Sequence, residues 1–174
     1  VLSVGGNINR TLHLPRTRDL NLKQVGTRAD GWPIFGAVDP TLVNNYFLES
    51  AANAFYKAVT FTASRRHGDW LTFYAHYTFS RATDEVTDFP IDYTPHNQLD
   101  ARADRSLSAF HRAHRVGFDA VLQSPARPAW SSPGMRALAR NWSFAPIFRY
   151  ESPRPFNIIT GYDNLGDGQA NTHR

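Results

Sequence analysis

The chain has 174 residues, of which 41% are apolar, 13% aromatic and 20% charged, the length and composition of one folded domain rather than a disordered tail. Its longest run free of Asp, Glu, Lys and Arg is residues 70–80, about half of what a spanning helix needs, and the absence of cysteine excludes disulfide frameworks, thiolate metal sites and cysteine nucleophiles. The net charge is +4, but the arginines are spread among aspartates without forming a stripe, so nucleic acid is not an expected partner, and the scarcity of Lys and Glu argues against a helical protein.

Five segments alternate apolar and polar side chains with period two, the mark of β-strands. In residues 1–14, Leu2, Val4, Ile8, Leu12 and Leu14 share one face with Gly6 and Arg10, opposite Ser3, Asn7, Asn9, Thr11 and His13. A long polar stretch, 15–53, follows. Residues 54–65 set Phe55, Val59, Phe61 and Ala63 against Tyr56, Ala58, Thr60, Thr62 and Ser64. Lys57 falls on the apolar face near the strand end, where a lysine can snorkel to headgroups. A tight turn at 66–69 leads to residues 70–80, with Leu71, Phe73, Ala75, Tyr77 and Phe79 against Thr72, Tyr74, His76 and Thr78. After the long stretch 81–113, residues 114–123 set Val116, Phe118, Ala120 and Leu122 against Arg115, Gly117 and Asp119. Beyond 124–140, residues 141–151 set Trp142, Phe144, Phe148 and Tyr150 against Ser143, Ala145, Arg149 and Glu151. Pro146 interrupts this last segment, removes a ladder donor and predicts a bulge. The tail 152–174 is polar.

These features predict an all-β fold: an antiparallel meander of about five strands, forming part of a large outer-membrane β-barrel. If the strands run up and down, the long stretches 15–53, 81–113 and 152–174 share one end, and 66–69 and 124–140 share the other. That is the asymmetry of outer-membrane barrels, whose tilted strands cross the bilayer in about 10 residues. Alternation alone fits a second fold equally: a soluble all-β sandwich binding carbohydrate or peptide, with the apolar face as its core. Aromatics near strand ends on the apolar face, Phe55, Phe79, Trp142 and Tyr150, resemble interfacial girdles and favour lipid. Val59, Phe61, Phe73, Ala75, Phe118 and Phe144 are therefore expected to face outward, and Thr60, Thr72, Tyr74, His76, Asp119 and Arg149 inward. The expected location is the bacterial outer membrane, and its lipid and lipopolysaccharide are expected partners.

Candidate sites are few. His76, Asp119 and Arg149 project to the presumed lumen, where they could meet a plug or a passing ligand, or stiffen the wall as a charge network. Residues 163–168 partly match a calcium loop through Asp163 and Asp167, but Leu165 stands at a ligand position and no Glu closes the loop; an Asp/Gly-rich turn explains them as well. His111 and His114 have a spacing that suits zinc only on a helix. Asp84, Glu85, Asp88, Asp92, Asp100 and Asp104, with Arg102 and Arg105 among them, form an acidic stretch read as ion-paired loop or as a holder of divalent cations. No nucleophile elbow, phosphate loop or dinucleotide fingerprint occurs, so neither an enzyme nor a cofactor is expected. The chain opens on Val1 without methionine or signal peptide and is expected to be a piece of a longer protein.

Several stretches match one family in chain order. Leu2-Ser3-Val4 leading to Leu12-His13-Leu14-Pro15-Arg16-Thr17-Arg18-Asp19-Leu20-Asn21-Leu22 resembles a barrel segment of Oar-like TonB-dependent receptors, outer-membrane proteins with a carboxypeptidase-regulatory-like domain. Glu49-Ser50-Ala51-Ala52-Asn53-Ala54-Phe55-Tyr56 resembles that family's entry to a strand, and Tyr77-Thr78-Phe79-Ser80-Arg81-Ala82-Thr83-Asp84-Glu85 its "YTFSKAIDE" exit into an outer loop. Arg102-Ala103-Asp104-Arg105-Ser106-Leu107-Ser108 is similar to the returning segment, and residues 149–157 with Thr160-Gly161-Tyr162-Asp163 to "RYxSGRPFN…TGYD". Two departures stand out: His111-Arg112-Ala113-His114-Arg115 replaces a D-x-R-H-R run, which leaves the ion pairs of that run unassigned, and Pro153 replaces a glycine. The resemblance implies about 22 strands around a plug. It also implies import or export of an unidentified ligand, and coupling to the TonB complex through parts of the protein outside this chain.

Overall fold

The computed structural model describes residues 1–86, 95–124, 132–134, 140–156, 158 and 161–168. Asp88, Asp92, Asn157, Thr160 and most of 124–140, named above, lie outside the described residues. The architecture is all-β and antiparallel. Among the described residues nine strands form: β1 (Leu2–Asp19), β2 (Leu22–Thr27), β3 (Pro33–Ala37), β4 (Tyr46–His67), β5 (Leu71–Asp84), β6 (Ser106–Leu107), β7 (His114–Gln123), β8 (Ser143–Phe144) and β9 (Ile147–Glu151), with a 3-10 turn at Ala101–Asp104. The main sheet runs β1-β4-β5-β7-β8, with β6 on β5 and β9 on β7. The five expected segments thus neighbour one another in sequence order, and β2 and β3 pair separately as a hairpin.

The chain divides into two compact units, residues 1–7, 57–81 and 112–153, and residues 8–56, 82–111 and 154–174. The first is a single-layered wall. Its β5–β7 ladder keeps one register from Leu71↔Leu122 to Phe79↔His114, so period two puts Phe73, Ala75 and Tyr77 on the same face as Ala120, Phe118 and Val116. The β7 pairings with β8 and β9 place Phe144, Phe148 and Tyr150 on that face as well.

The bulge expected at Pro146 is absent. Leu122↔Phe144 and Asp119↔Ile147 belong to one uninterrupted register, and the Ala120 N–H still donates to the Pro146 carbonyl at 3.1 Å. Proline costs only the return bond to Ala120, which splits one strand into β8 and β9 without inserting a residue.

The apolar face of this unit is open. Phe61 is 49% exposed, Phe144 60% and Phe148 55%, and among the described residues the only buried hydrophobic ones of the unit are Ala58 and Ala120. A soluble sandwich would cover such a face with a second sheet; none does so among the described residues.

The second unit is built differently. β1 and β4 extend beyond the expected segments, to Asp19 and back to Tyr46, where hydrophobic alternation has stopped. Polar partners carry the ladder there. Buried Arg16 donates from Nε to Glu49 at 2.7 Å, and Arg18 Nε lies 3.2 Å from the other oxygen. Buried Asp19 accepts the N–H groups of Asn21 and Asn45 and the amide of Asn44, while its own N–H donates to Gln98. Among the described residues the apolar core of this unit is small: Ala52 of β4, and Phe35 of β3 with Leu165, the last two joined by a Phe35 N–H to Leu165 carbonyl bond of 2.6 Å. Gly166 follows at φ +73°, and a Cβ there would stand 2.6 Å from the Phe35 carbonyl oxygen, so only glycine lets this segment dock on β3.

Candidate functional site

The polar face of the first unit carries the sequence candidates. The register sets three rows across β5, β7 and β9: Tyr74, Asp119 and Ile147; His76, Gly117 and Arg149; Thr78, Arg115 and Glu151. His76, Asp119 and Arg149 therefore share one face, in adjacent rows.

Arg149 reaches diagonally, and its Nη2 donates to both Asp119 oxygens at 2.9 and 3.0 Å. Its Nη1 donates to the Phe148 carbonyl at 3.0 Å, which fixes the guanidinium plane. The side chains are 52% and 35% exposed, so the pair contributes at most about 1 kcal/mol in water. Its geometry is more informative than its energy: a charge pair held diagonally across adjacent rows of the polar face.

His76 fills the space that Gly117 leaves. A Cβ on Gly117 would overlap the imidazole ring, so the glycine is a seat for His76, and Tyr74 flanks the ring with centroids 5.6 Å apart. The Nδ1 of His76 is buried and has no hydrogen-bond partner among the described residues. The hydroxyls of Thr60 and Thr78 bond at 2.9 Å, and those of Ser3 and Thr62 bond to each other, so this face is satisfied largely by paired side chains.

A second charge group was not anticipated. Glu151 accepts from Arg112 Nε at 3.3 Å and lies 3.7 Å from Arg115 Nε. Both arginines come from the run His111-Arg112-Ala113-His114-Arg115, and β9 supplies their acid across the ladder. Only the register, invisible in the sequence, brings it there.

The remaining candidates act as local caps. His111 accepts the Ala82 N–H at its Nδ1 (3.2 Å), and His114 pairs through Nδ1 with the Tyr77 hydroxyl at 2.7 Å. In the acidic stretch, Asp100 caps the 3-10 turn through the Arg102 N–H, Asp104 accepts the His96 N–H, and Glu85 Oε2 accepts both the N–H and the side-chain amide of Asn53. Asp163 accepts four backbone N–H groups, from Leu165, Gly166, Asp167 and Gly168, at 2.7–3.3 Å. Partial burial raises its pKa, and the four donors outweigh that and hold the carboxyl below the ordinary range. Asp167 is buried nearby. Among the described residues, no three His, Asp or Glu side chains converge as a metal site.

A family model described as "Outer membrane beta barrel domain" matches residues 1–174. Among curated proteins and among solved structures, nothing matches the chain.

Proposed function

We infer function from one premise: the chain belongs to the outer membrane beta barrel domain family and so to the bacterial outer membrane. The open apolar face is then the lipid face, and the face carrying His76, Asp119 and Arg149 is the lumen face. That assignment leaves no place for the soluble carbohydrate- or peptide-binding sandwich.

Within this frame, the chain is a piece of the barrel of a TonB-dependent receptor that moves a ligand across the outer membrane. The ordered likeness of several segments to Oar-like receptors carries this reading. Strand length supports it: β1 has 18 residues and β4 has 22, whereas a tilted crossing takes about 10. Strands of that length suit a receptor wall that continues past the hydrocarbon. The barrel itself performs no chemistry in this reading. The hydroxyls and the Arg149–Asp119 pair line the path, with the ring of His76 seated beside them on Gly117.

The test is binding of the intact protein, purified in detergent, to the isolated periplasmic domain of TonB from the same organism. Saturable binding that the intact protein loses when its own TonB-box segment is deleted is the expected result. No binding in either the presence or absence of detergent-solubilised outer-membrane extract refutes the receptor reading and leaves an outer-membrane barrel of another class.

A further inference from the structure

We propose that the second unit carries a site for a lipid-borne phosphoryl group, in a cleft of about 330 Å³ formed by Arg10, Arg102 and Arg105 beside Asn53, Phe55 and Glu85. The proposal deepens the orientation given above, in which the apolar face meets lipid, and rests on it.

The charge balance of the cleft points to an anion. None of the three guanidinium groups forms an ion pair among the described residues, whereas elsewhere in the unit Arg16 and Arg18 are on Glu49 and Arg28 is on Asp30. Glu85 is the one carboxylate in the wall among the described residues, and its Oε2 is already turned to the two Asn53 donors. Asp100 and Asp104 next to the arginines are likewise committed to backbone N–H groups. Three arginines lining one cleft suit a tetrahedral group with several oxygens, since each guanidinium can donate in pairs.

Location selects the source. Arg10 shares its face of β1 with Ile8 and Leu12, which are 76% and 45% exposed. Phe55 belongs to the apolar face of β4 and lines the same cleft. Leu107, 41% exposed, pairs with Thr83 on β5, whose side chain also belongs to the wall of the cleft. Arginines set into an apolar face are costly at the bilayer midplane but cheap at its edge, where headgroup phosphates lie. The cleft belongs to the unit that holds most of the long stretches 15–53, 81–113 and 152–174, which the receptor reading puts at the outer end, where the outer leaflet presents phosphorylated lipid.

The 3-10 turn at Ala101–Asp104 makes the site. It is capped by Asp100 and closed by the Arg105 N–H on the Arg102 carbonyl, which places both arginines on one short turn. A mere solvated loop has no need to present two unpaired arginines beside a third from the sheet.

The experiment uses the intact protein in detergent, with lipid A in mixed micelles and inorganic phosphate as separate probes, read by native mass spectrometry and thermophoresis. Lipid A should bind the wild type, more weakly as salt rises. The double variant Arg102→Ser/Arg105→Ser and the single variant Arg10→Gln should each lose at least about tenfold in affinity, the worth of a charge-assisted hydrogen bond or two. Arg66→Ser, an exposed arginine paired with Asp69 on the β4–β5 turn, should bind as the wild type does. Unchanged lipid A binding in the double variant overturns the site. Inorganic phosphate binding as tightly as lipid A at the same residues overturns the lipid source. The lipid orientation is judged separately, by the folding of Phe61→Arg against Thr60→Arg, so a failure there is distinguishable from a failure of this cleft.

Discussion

Phe61 and Thr60 are neighbours on β4 that point to opposite faces, so exchanging each for arginine tests which face meets lipid. Phe61 is 49% exposed and stacks on Tyr77 with ring centroids 6.4 Å apart. If its face is in hydrocarbon, an arginine there costs about 2–4 kcal/mol at the midplane. The lost aromatic contact adds about 0.5–1.5 kcal/mol. The arginine term alone shifts the folding equilibrium by roughly thirtyfold to a thousandfold. Thr60 bonds the Thr78 hydroxyl at 2.9 Å, and its loss costs about 1 kcal/mol, with the new guanidinium standing on a polar wall. The intact protein would be refolded into lipid vesicles over a urea series, and the folded fraction read from heat-modifiable gel mobility. Phe61→Arg should lower the folded fraction far more than Thr60→Arg. Equal loss, or greater loss in Thr60→Arg, would refute the face assignment.

Two further substitutions examine the lumen wall and the docked segment. Gly117→Ala should destabilise by about 1–3 kcal/mol because the new Cβ collides with the His76 ring, and Gly117→Ala/His76→Ala should recover most of that. A urea midpoint that does not move in the single variant, or does not recover in the double, contradicts the seat described for His76. Asp163, whose pKa is depressed, contributes stability that is complete above the ordinary unfolded value of about 3.9 and is lost as pH falls through the lower folded value. Hydrogen exchange at residues 165–168 should therefore stay slow at neutral pH and quicken only in acid, whereas Asp163→Asn should exchange faster already at neutral pH; equal protection of the two proteins at neutral pH would argue against the four-donor arrangement.

The wall was legible because its energetics repeat every two residues. Phe73, Ala75 and Tyr77 needed no knowledge of their partners to be assigned a face, and the register then placed Phe118 and Val116 beside them. His76, Asp119 and Arg149 were found the same way, as polar side chains on the other face. Their mutual contacts were not legible. The Arg149–Asp119 pair is a diagonal between rows, and the seat on Gly117 depends on which residue lies opposite His76, both set by strand register. The bulge at Pro146 was a sound local inference that the ladder overrode, because β7 holds its register on both sides of the proline. The extensions of β1 and β4 were hidden for a different reason: Arg16, Thr17 and Asp19 are polar and buried, so a rule that ties strands to apolar alternation stops too early.

Burial thus runs in opposite senses in the two units. In the first, the large side chains are open and the buried hydrophobic ones are alanines; in the second, Arg16, Asp19, Asn21, Glu85, Gln98 and His111 are buried. A phenylalanine kept from an apolar environment forgoes about 1.5–3 kcal/mol, so the first unit needs lipid to supply the medium that its own chain does not. Such a wall demands only that apolar side chains recur, and tolerates many sequences. The buried polar groups of the second unit tolerate few, since removing one partner leaves the other desolvated and unsatisfied. Glu49 holds Arg16 and lies beside Arg18, and Asp19 alone ties Asn21, Asn44 and Asn45. The unit that needs such specific partners is also the one in which Arg10, Arg102 and Arg105 form no ion pair among the described residues. Glu85, Asp100 and Asp104 beside them are turned to amide donors, so the three arginines, set among Phe55 and the exposed apolar residues of β1, are the seat of the phosphoryl group proposed above.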